Sequence, residues 1–107
     1  MRKLKIFLDD IRDAPDEIWI TVRTAESLIA LLCTQEGHID ILSLDHDLGE
    51  GKKTGYEVLK WMEAQVFLHG YNPPKEILVH SANPVGIINM NQAIKSINKM
   101  CSRHLKS

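Results

Sequence analysis

The chain has 107 residues, with 13 lysines and arginines against 14 aspartates and glutamates, and 44% of it is hydrophobic. This size predicts one domain, residues 1–107, that can bury a core without disulfide bonds. Because the net charge is −1, bulk electrostatics give no reason to expect nucleic-acid or membrane binding.

The distribution of apolar residues and cysteines predicts a cytoplasmic protein with no membrane partner. No segment approaches the roughly 20 apolar residues that cross a bilayer, and the basic N-terminus lacks a signal-peptide core. Cys33 and Cys101 lack metal-finger spacing and fall in amphipathic patterns, so we expect two buried thiols in a reducing compartment. The sequence gives no indication of the oligomeric state.

The first third of the chain predicts two strands and a helix. Residues 3–9 are too continuously apolar for a one-sided sheet, which favours a buried parallel strand. Residues 11–17 contain a proline and predict a loop or a short helical turn, and residues 18–23 predict a second strand. Thr24 can cap a helix that Gly37 ends. The core-facing positions of this helix are Ala25, Leu28, Ile29 and Leu32.

The rest of the chain predicts two more strands, each followed by a helix. Residues 39–45 form the third strand, and the next helix opens at Thr54. Residues 76–80 form the fourth strand, after which Asn83 caps a helix with Pro84 at its first position. The core-facing positions of these two helices are Val58, Leu59, Met62 and Val66, then Ile87, Met90, Ile94, Ile97, Cys101 and Leu105.

This alternation predicts an α/β fold: a doubly wound parallel sheet with helices on both faces. We expect the strand order 2-1-3-4, which places the reversal of winding between strands 1 and 3. Ligands of such sheets bind at the carboxyl ends of the strands, beside this reversal. The polar segments that follow the four strands are Asp9-Asp10, Arg23-Thr24, Asp45-His46-Asp47 and His80-Ser81-Ala82-Asn83.

The carboxylates after strands 1 and 3 predict a cation site. Acids that converge on one point repel, so they must take up protons or share a cation. Oxygen ligands without thiolates suit Mg²⁺ or Mn²⁺. Any one of these acids could instead be a loop or capping residue. The predicted metal ligands are Asp9, Asp10, Asp45 and Asp47.

The other polar residues of this edge suit a phosphate group. A helix N-terminus offers free N–H groups to an anion, and a guanidinium binds phosphate through two hydrogen bonds. The predicted phosphate ligands are Ser81, Asn83, Thr54, Arg12 and Arg23. His80 and His46 can carry protons near neutral pH, and the helix start beside His80 favours that residue. Each arginine and histidine could also be purely structural.

These strand ends resemble the receiver domain of response regulators. The resemblance implies that Asp45 accepts a phosphoryl group, that Asp9 and Asp10 hold Mg²⁺, and that Ser81 is the hydroxyl residue after strand 4. The predicted elements depart from that pattern, because the last of them is the helix after strand 4. We therefore expect a fold without the fifth strand of receivers and without the lysine that accompanies it. His46 and Asp47 also replace residues that carry no charge in receivers.

Longer motifs narrow the resemblance. The segments "LDDIRDAP", "VRTAESLIALL", "SLDHDLG", "TGYEVLKWME" and "VHSANPVGIINM" are similar to the cyclic-phosphate-processing receiver-like domains of bacteria and phages. That resemblance covers nearly the whole chain. It implies a receiver fold that acts on a cyclic phosphate with the help of a metal ion.

Three functions follow as expectations. The first is a metal-dependent phosphoesterase that opens a cyclic phosphate on a nucleotide, an RNA end or an ADP-ribose derivative, with Asp45, His80 and His46 as the catalytic candidates. The second is a non-catalytic protein that binds or sequesters a cyclic nucleotide. The third is a degenerate phospho-receiver of a signalling pathway.

Overall fold

The computed structural model describes residues 2–106, with side chains up to Cys101, and it contains all four predicted strands. Each strand is shorter than predicted by one to three residues, which is the usual uncertainty at element ends. In chain order the elements are β1 (Leu4–Leu8), β2 (Ile20–Val22), α1 (Ala25–Thr34), β3 (Ile39–Leu44), α2 (Gly55–His69), β4 (Glu76–Val79) and α3 (Pro84–Lys106).

The strands form one parallel sheet in the order β2-β1-β3-β4, as predicted. Leu8 of β1 is in register with Val22 of β2 and with Leu44 of β3, and Leu44 is in register with Val79 of β4. The last residues of all four strands therefore form one row across the sheet. Whatever follows them leaves the sheet at a common edge.

The helices pack against a single face of this sheet. Alternate β1 residues Ile6 and Leu8 join one buried cluster with residues from all three helices, such as Leu28, Met62 and Met90, whereas Phe7 is buried outside that cluster. The arrangement differs from the expected layers on both faces. Right-handed crossovers from β2 to β3 and from β3 to β4 run in the same direction, so they place α1 and α2 on the same side.

The connection from β1 to β2 runs in the opposite direction and lies over the second face. It consists of turns and bends, without a helix in the described residues. Trp19 at its end packs edge-on against Phe7, with 6.2 Å between ring centroids. His80 stacks flat on Phe7 at 4.1 Å, and Leu78 is left 43% exposed. The second face is thus covered by a loop and aromatic rings.

All three helix starts lie where the sequence predicts them. Thr24 accepts a hydrogen bond from the backbone N–H of Ser27 at 3.1 Å, and Thr54 forms a reciprocal capping box with Glu57. The Asn83 side chain accepts from the backbone N–H of Gly86 at 3.0 Å. Side-chain caps of this kind satisfy N–H groups that a first helical turn leaves free. Each cap fixes where the preceding loop must end.

The prediction of two buried cysteines is wrong for Cys33, which is exposed. Cys33 follows the buried Leu32 by one residue, a rotation of about 100° that carries it off the core-facing side of α1. Cys101 is partly buried, and burial raises the pKa of its thiol. The predicted core position Leu105 lies outside the side chains that the structure describes. No helix within residues 2–106 combines the length and the apolar character needed to cross a membrane.

Candidate functional site

An open cleft of about 540 Å³ lies at the carboxyl edge of the sheet. The loops that follow β1, β3 and β4 form its walls, so the cleft lies at the switch point where ligands of open parallel sheets bind. Its lining residues are Asp9, Asp10, Ile11, Arg12, Asp45, Asp47, Gly49, Glu50 and Ala82. The cleft is therefore strongly acidic, with one basic side chain among the lining residues that the structure describes.

Three carboxylates converge in this cleft. Asp9, Asp10 and Asp45 each offer an oxygen atom, and these oxygens lie within 4.8 Å of one another. The sheet fixes two of these three aspartates. The backbone N–H groups of Asp9 and Asp45 donate to the carbonyls of Val22 and Leu8, at 3.1 and 2.9 Å, and so continue the hydrogen-bond pattern of the strands. The convergence of acids from adjacent strands thus follows directly from the strand register.

Asp9 is held in a tight hydrogen-bonded setting and is only 1% exposed. Its Oδ1 accepts from the backbone N–H groups of Ile11 and Arg12 at 3.0 and 2.9 Å, and its Oδ2 lies 3.2 Å from Nε2 of His80. Burial alone would raise the pKa of Asp9, but these hydrogen bonds and the neighbouring His80 lower it below its usual range. Asp9 is therefore an anion at neutral pH.

Asp45 has the opposite electrostatics. Asp45 is 8% exposed, and its burial together with the charge of Asp9 raises its pKa. A hydrogen bond from the backbone N–H of His46 at 2.8 Å acts in the opposite direction but does not cancel this effect. A carboxylate that is desolvated beside another carboxylate is stabilised by a bound cation. The donors are all oxygens, which is the ligand set that Mg²⁺ and Mn²⁺ prefer. The three carboxylates therefore fit a hard divalent cation.

Asp47, the fourth predicted metal ligand, lines the cleft but lies apart from the three converging carboxylates. Its Oδ1 lies 2.9 Å from Nδ1 of His46, and its Oδ2 makes a long 3.5 Å contact with the side-chain amide of Asn83. The hydrogen bond from His46 lowers the pKa of Asp47. Asp47 is therefore placed to orient an imidazole.

The two histidines have different surroundings, and neither lines the cleft. His80 uses both ring nitrogens, Nε2 toward Asp9 and Nδ1 toward Ser43 Oγ at 2.7 Å. His46 uses only Nδ1, toward Asp47, and its Nε2 has no hydrogen-bond partner among the side chains of residues 2–101. The His46 ring packs on α3, where a Cβ added to Gly86 would lie 2.6 Å from it. His46 is thus the imidazole with one ring nitrogen, Nε2, that is not engaged by a described side chain.

Most predicted phosphate ligands serve as caps or braces. The Ser81 hydroxyl accepts from the backbone N–H of Asn83 at 3.1 Å, and Thr54 and Asn83 cap α2 and α3. The Arg23 guanidinium donates to the carbonyls of Asp9 and Arg12 at 3.2 and 2.7 Å and pairs with Asp13. Arg23 therefore braces the loop after β1.

Arg12 is the predicted phosphate ligand that the structure leaves most accessible. Its side chain is 56% exposed and lines the cleft, 3.7 Å from Asp9 Oδ2. One guanidinium nitrogen makes a long 3.4 Å contact with the carbonyl of His80. The remaining N–H groups of Arg12 can reach an anion in the cleft.

Ser43 is a functional candidate that the sequence analysis missed. It lies inside β3, is 6% exposed, and contacts His80 directly. The only signal in the sequence is a hydroxyl residue in the otherwise buried end of the run "IDILSL". Its partner is 37 residues away, so local patterns could not reveal the contact.

Comparison with protein families gives a match that covers most of the chain. The model of a family described as the cyclic-phosphate processing receiver domain matches residues 4–96. This range contains every predicted site residue. No curated protein and no solved structure matches the chain.

Proposed function

Since the chain belongs to the family of cyclic-phosphate processing receiver domains, we propose that it hydrolyses a cyclic phosphate with the help of a divalent cation. The observation that carries this proposal is the convergence of Asp9, Asp10 and Asp45 in one cleft. The substrate class is a cyclic phosphate on a nucleotide, an RNA end or an ADP-ribose derivative. Such a substrate is a small molecule or a chain end, and a cleft of about 540 Å³ has room for it.

The acidity of the cleft is the reason to invoke a cation. An anionic phosphate would be repelled by five acidic lining residues opposed by a single arginine. Asp9, Asp10 and Asp45 would hold Mg²⁺ or Mn²⁺, and the bound ion would polarise a phosphoryl oxygen as a Lewis acid. Binding of substrate would then require that a divalent cation is already bound to these three carboxylates.

Arg12 and the start of α3 would hold the phosphate. The Arg12 guanidinium can donate two parallel hydrogen bonds to phosphate oxygens. Ala82 brings the segment before α3 to the cleft wall, and the positive end of the α3 dipole favours an anion there. These groups would orient the ring so that the ester bond that breaks lies opposite the attacking water.

Ring opening requires transfer of one proton. A water molecule gives up one proton as its oxygen forms a new bond to phosphorus, one P–O ester bond of the ring breaks, and the released oxygen takes up a proton to become a hydroxyl. We assign this transfer to His46, which lies in the chain between the cleft residues Asp45 and Asp47. Its Nδ1 lies 2.9 Å from Asp47 Oδ1, while its Nε2 has no partner among the described side chains. A carboxylate that orients the base through its other nitrogen is a recurring arrangement in proton-transfer sites. This reverses the preference for His80 that the sequence favoured.

Turnover of a panel of cyclic phosphates tests the proposal. Phosphorus NMR of 2′,3′-cyclic nucleotides, an RNA with a cyclic phosphate end and ADP-ribose cyclic phosphate should show a phosphomonoester product that requires Mg²⁺ and disappears with a chelator. Asp45→Asn should abolish the product. Glu26→Gln, which removes the same charge from the exposed start of α1, should not.

Each other outcome points to a different function. Tight binding without turnover would replace hydrolysis by sequestration of a cyclic nucleotide. A phosphoryl group transferred to Asp45 from acetyl phosphate would support the phospho-receiver function. If the protein neither turns over nor binds any member of the panel, the proposal is refuted.

A further inference from the structure

Ser43, His80 and Asp9 form a continuous chain of contacts across three strands. Ser43 lies on β3, His80 follows β4, and Asp9 follows β1. The Ser43 Oγ to His80 Nδ1 distance is 2.7 Å, and the His80 Nε2 to Asp9 Oδ2 distance is 3.2 Å. Because β3 lies between β1 and β4, the imidazole connects the ends of these two strands by crossing over β3.

The small side chain of Ser43 makes this crossing sterically feasible. Ser43 is in register with Phe7 on one side and Leu78 on the other, and the His80 ring stacks on Phe7 with only 4° between the planes. A side chain as large as that of its neighbour Leu78 would occupy the space of the ring at position 43. The ring is thus clamped by a stacking contact and by hydrogen bonds at both nitrogens.

The hydrogen bonds also determine which nitrogen carries a hydrogen. An ionised carboxylate can only accept, so Nε2 of His80 must donate to Asp9 Oδ2. In the neutral imidazole Nδ1 is then an acceptor, and the Ser43 hydroxyl is the donor within reach. The Asp9 carboxylate thus requires the Nε2–H tautomer, and the Ser43 hydroxyl supports it by donating to Nδ1. Without that hydroxyl, only the contact with Asp9 favours this tautomer.

We propose that Ser43 is a positioning residue that, through His80, fixes the orientation of the Asp9 carboxylate for cation binding. The cation part of this inference rests on the proposed function. With Oδ1 held by two backbone N–H groups and Oδ2 by His80, the Asp9 carboxylate has a single orientation. Outer partners that orient a ligand in this way typically affect metal affinity about 10–100-fold.

The same three residue types in line also occur in nucleophilic hydrolases, but Ser43 is not placed to attack a substrate. It is 6% exposed, lies inside a strand and does not line the cleft. A nucleophile must reach the reacting atom. The chain of contacts therefore ends at Asp9, and its effect is exerted there.

Two measurements on the full chain test this role. Long-range proton–nitrogen NMR, with His80 assigned by comparison with His80→Gln, should show hydrogen on Nε2 and none on Nδ1 in wild type. Ser43→Ala should give a mixture of tautomers and weaken Mg²⁺ binding in calorimetry by about tenfold or more. Ser43→Thr, which keeps the hydroxyl, should restore both.

Thr21→Ala is the matched control. Thr21 is in register with Phe7 on the side opposite to Ser43, so its loss removes a hydroxyl from the same row of the sheet. It should leave the tautomer and the Mg²⁺ affinity at wild-type values. A wild-type spectrum with hydrogen on Nδ1 overturns the proposal even if Ser43→Ala does not fold.

The two readouts must also change together. A changed tautomer with unchanged Mg²⁺ affinity, or the reverse, contradicts positioning through His80. If wild type binds no Mg²⁺, the proposed function fails, and the tautomer measurement alone then decides whether Ser43 controls His80.

Discussion

Asp9 and Asp45 lie side by side in the cleft, yet their pKa values shift in opposite directions. Asp9 receives two backbone hydrogen bonds and one from His80, which together outweigh its burial. Asp45 is desolvated beside the charge of Asp9 and receives one backbone hydrogen bond. One carboxylate therefore stabilises the cation-free fold at neutral pH, and the other destabilises it.

Melting temperatures of two variants should show this difference. Asp45 has its pKa raised above the ordinary value of 3.8, so above that value the folded state binds more protons than the unfolded state and stability falls as pH rises. Asp45→Asn should therefore raise the melting temperature of cation-free protein at pH 7. Asp9, whose pKa is lowered, contributes stability above 3.8 that is lost as pH falls, so Asp9→Asn should lower it.

The pH dependence provides the check. Toward pH 3 the Asp45 carboxyl is protonated in both folded and unfolded states, so the gain from Asp45→Asn should shrink. Shifts of equal sign for the two variants at pH 7 would contradict the assignment of opposite pKa shifts.

The two imidazoles should give different kinetic signatures. His46→Gln removes the assigned proton carrier, so we expect turnover at saturating Mg²⁺ to fall about 10²–10⁴-fold with Mg²⁺ affinity within a few fold of wild type. His80→Gln disturbs the partner of Asp9, so it should weaken Mg²⁺ binding more than it slows the saturated reaction. Steady-state kinetics at varied Mg²⁺ separate the two effects. A larger loss of saturated turnover for His80→Gln would restore His80 as the proton carrier.

At the scale of elements, two glycines let helices α2 and α3 approach the loop after β3. A Cβ on Gly55 would collide with the backbone oxygen of Asp45, and a Cβ on Gly86 would lie 2.6 Å from the His46 ring. Neither glycine has a positive φ, so the requirement is space and not backbone conformation. The helix starts and the site loop are thus packed directly against one another.

Substitution of the two glycines should therefore have unequal effects. Gly55→Ala forces backbone against backbone, and we expect a loss of about 1–3 kcal/mol, or roughly 5–20 °C in melting temperature. Gly86→Ala meets a movable ring, so it should cost less stability but displace His46 and reduce turnover. Val85→Ala, at an exposed neighbour of Gly86, is the control. If Gly55→Ala has the same melting temperature as wild type, the space between Gly55 and the backbone of Asp45 is large enough for a Cβ, and the close approach is contradicted.

Local signals in the sequence were sufficient for the strands, the caps and the acids at the strand ends. Thr24, Thr54 and Asn83 cap helices because their partners lie three residues away, within the same segment. The roles of Arg23 and His80 could not be predicted. Arg23 braces a loop through carbonyls 11 and 14 residues away, and His80 reaches Ser43 and Asp9 across 37 and 71 residues. Contacts at such separations depend on strand order and register.

At the scale of the whole molecule, the strand order decides where the chemistry lies. Two right-handed crossovers in one direction place α1 and α2 on one face, and the β1–β2 connection covers the other as a loop. That loop begins with Asp9 and Asp10, so the segment that covers the second face also supplies two of the three converging carboxylates. The β1–β2 connection, which contains no helix in the described residues, therefore forms one wall of the cleft.

The central claim is that Asp9, Asp10 and Asp45 form one divalent-cation site, and calorimetric titration of Mg²⁺ and Mn²⁺ tests it most directly. Wild type and the Glu26→Gln control should bind one ion with equal affinity, and their melting temperatures should rise with ion concentration by mass action. The double variant Asp10→Asn/Asp45→Asn should bind neither ion measurably and should show no such rise. Equal affinity of wild type and the double variant would contradict the account.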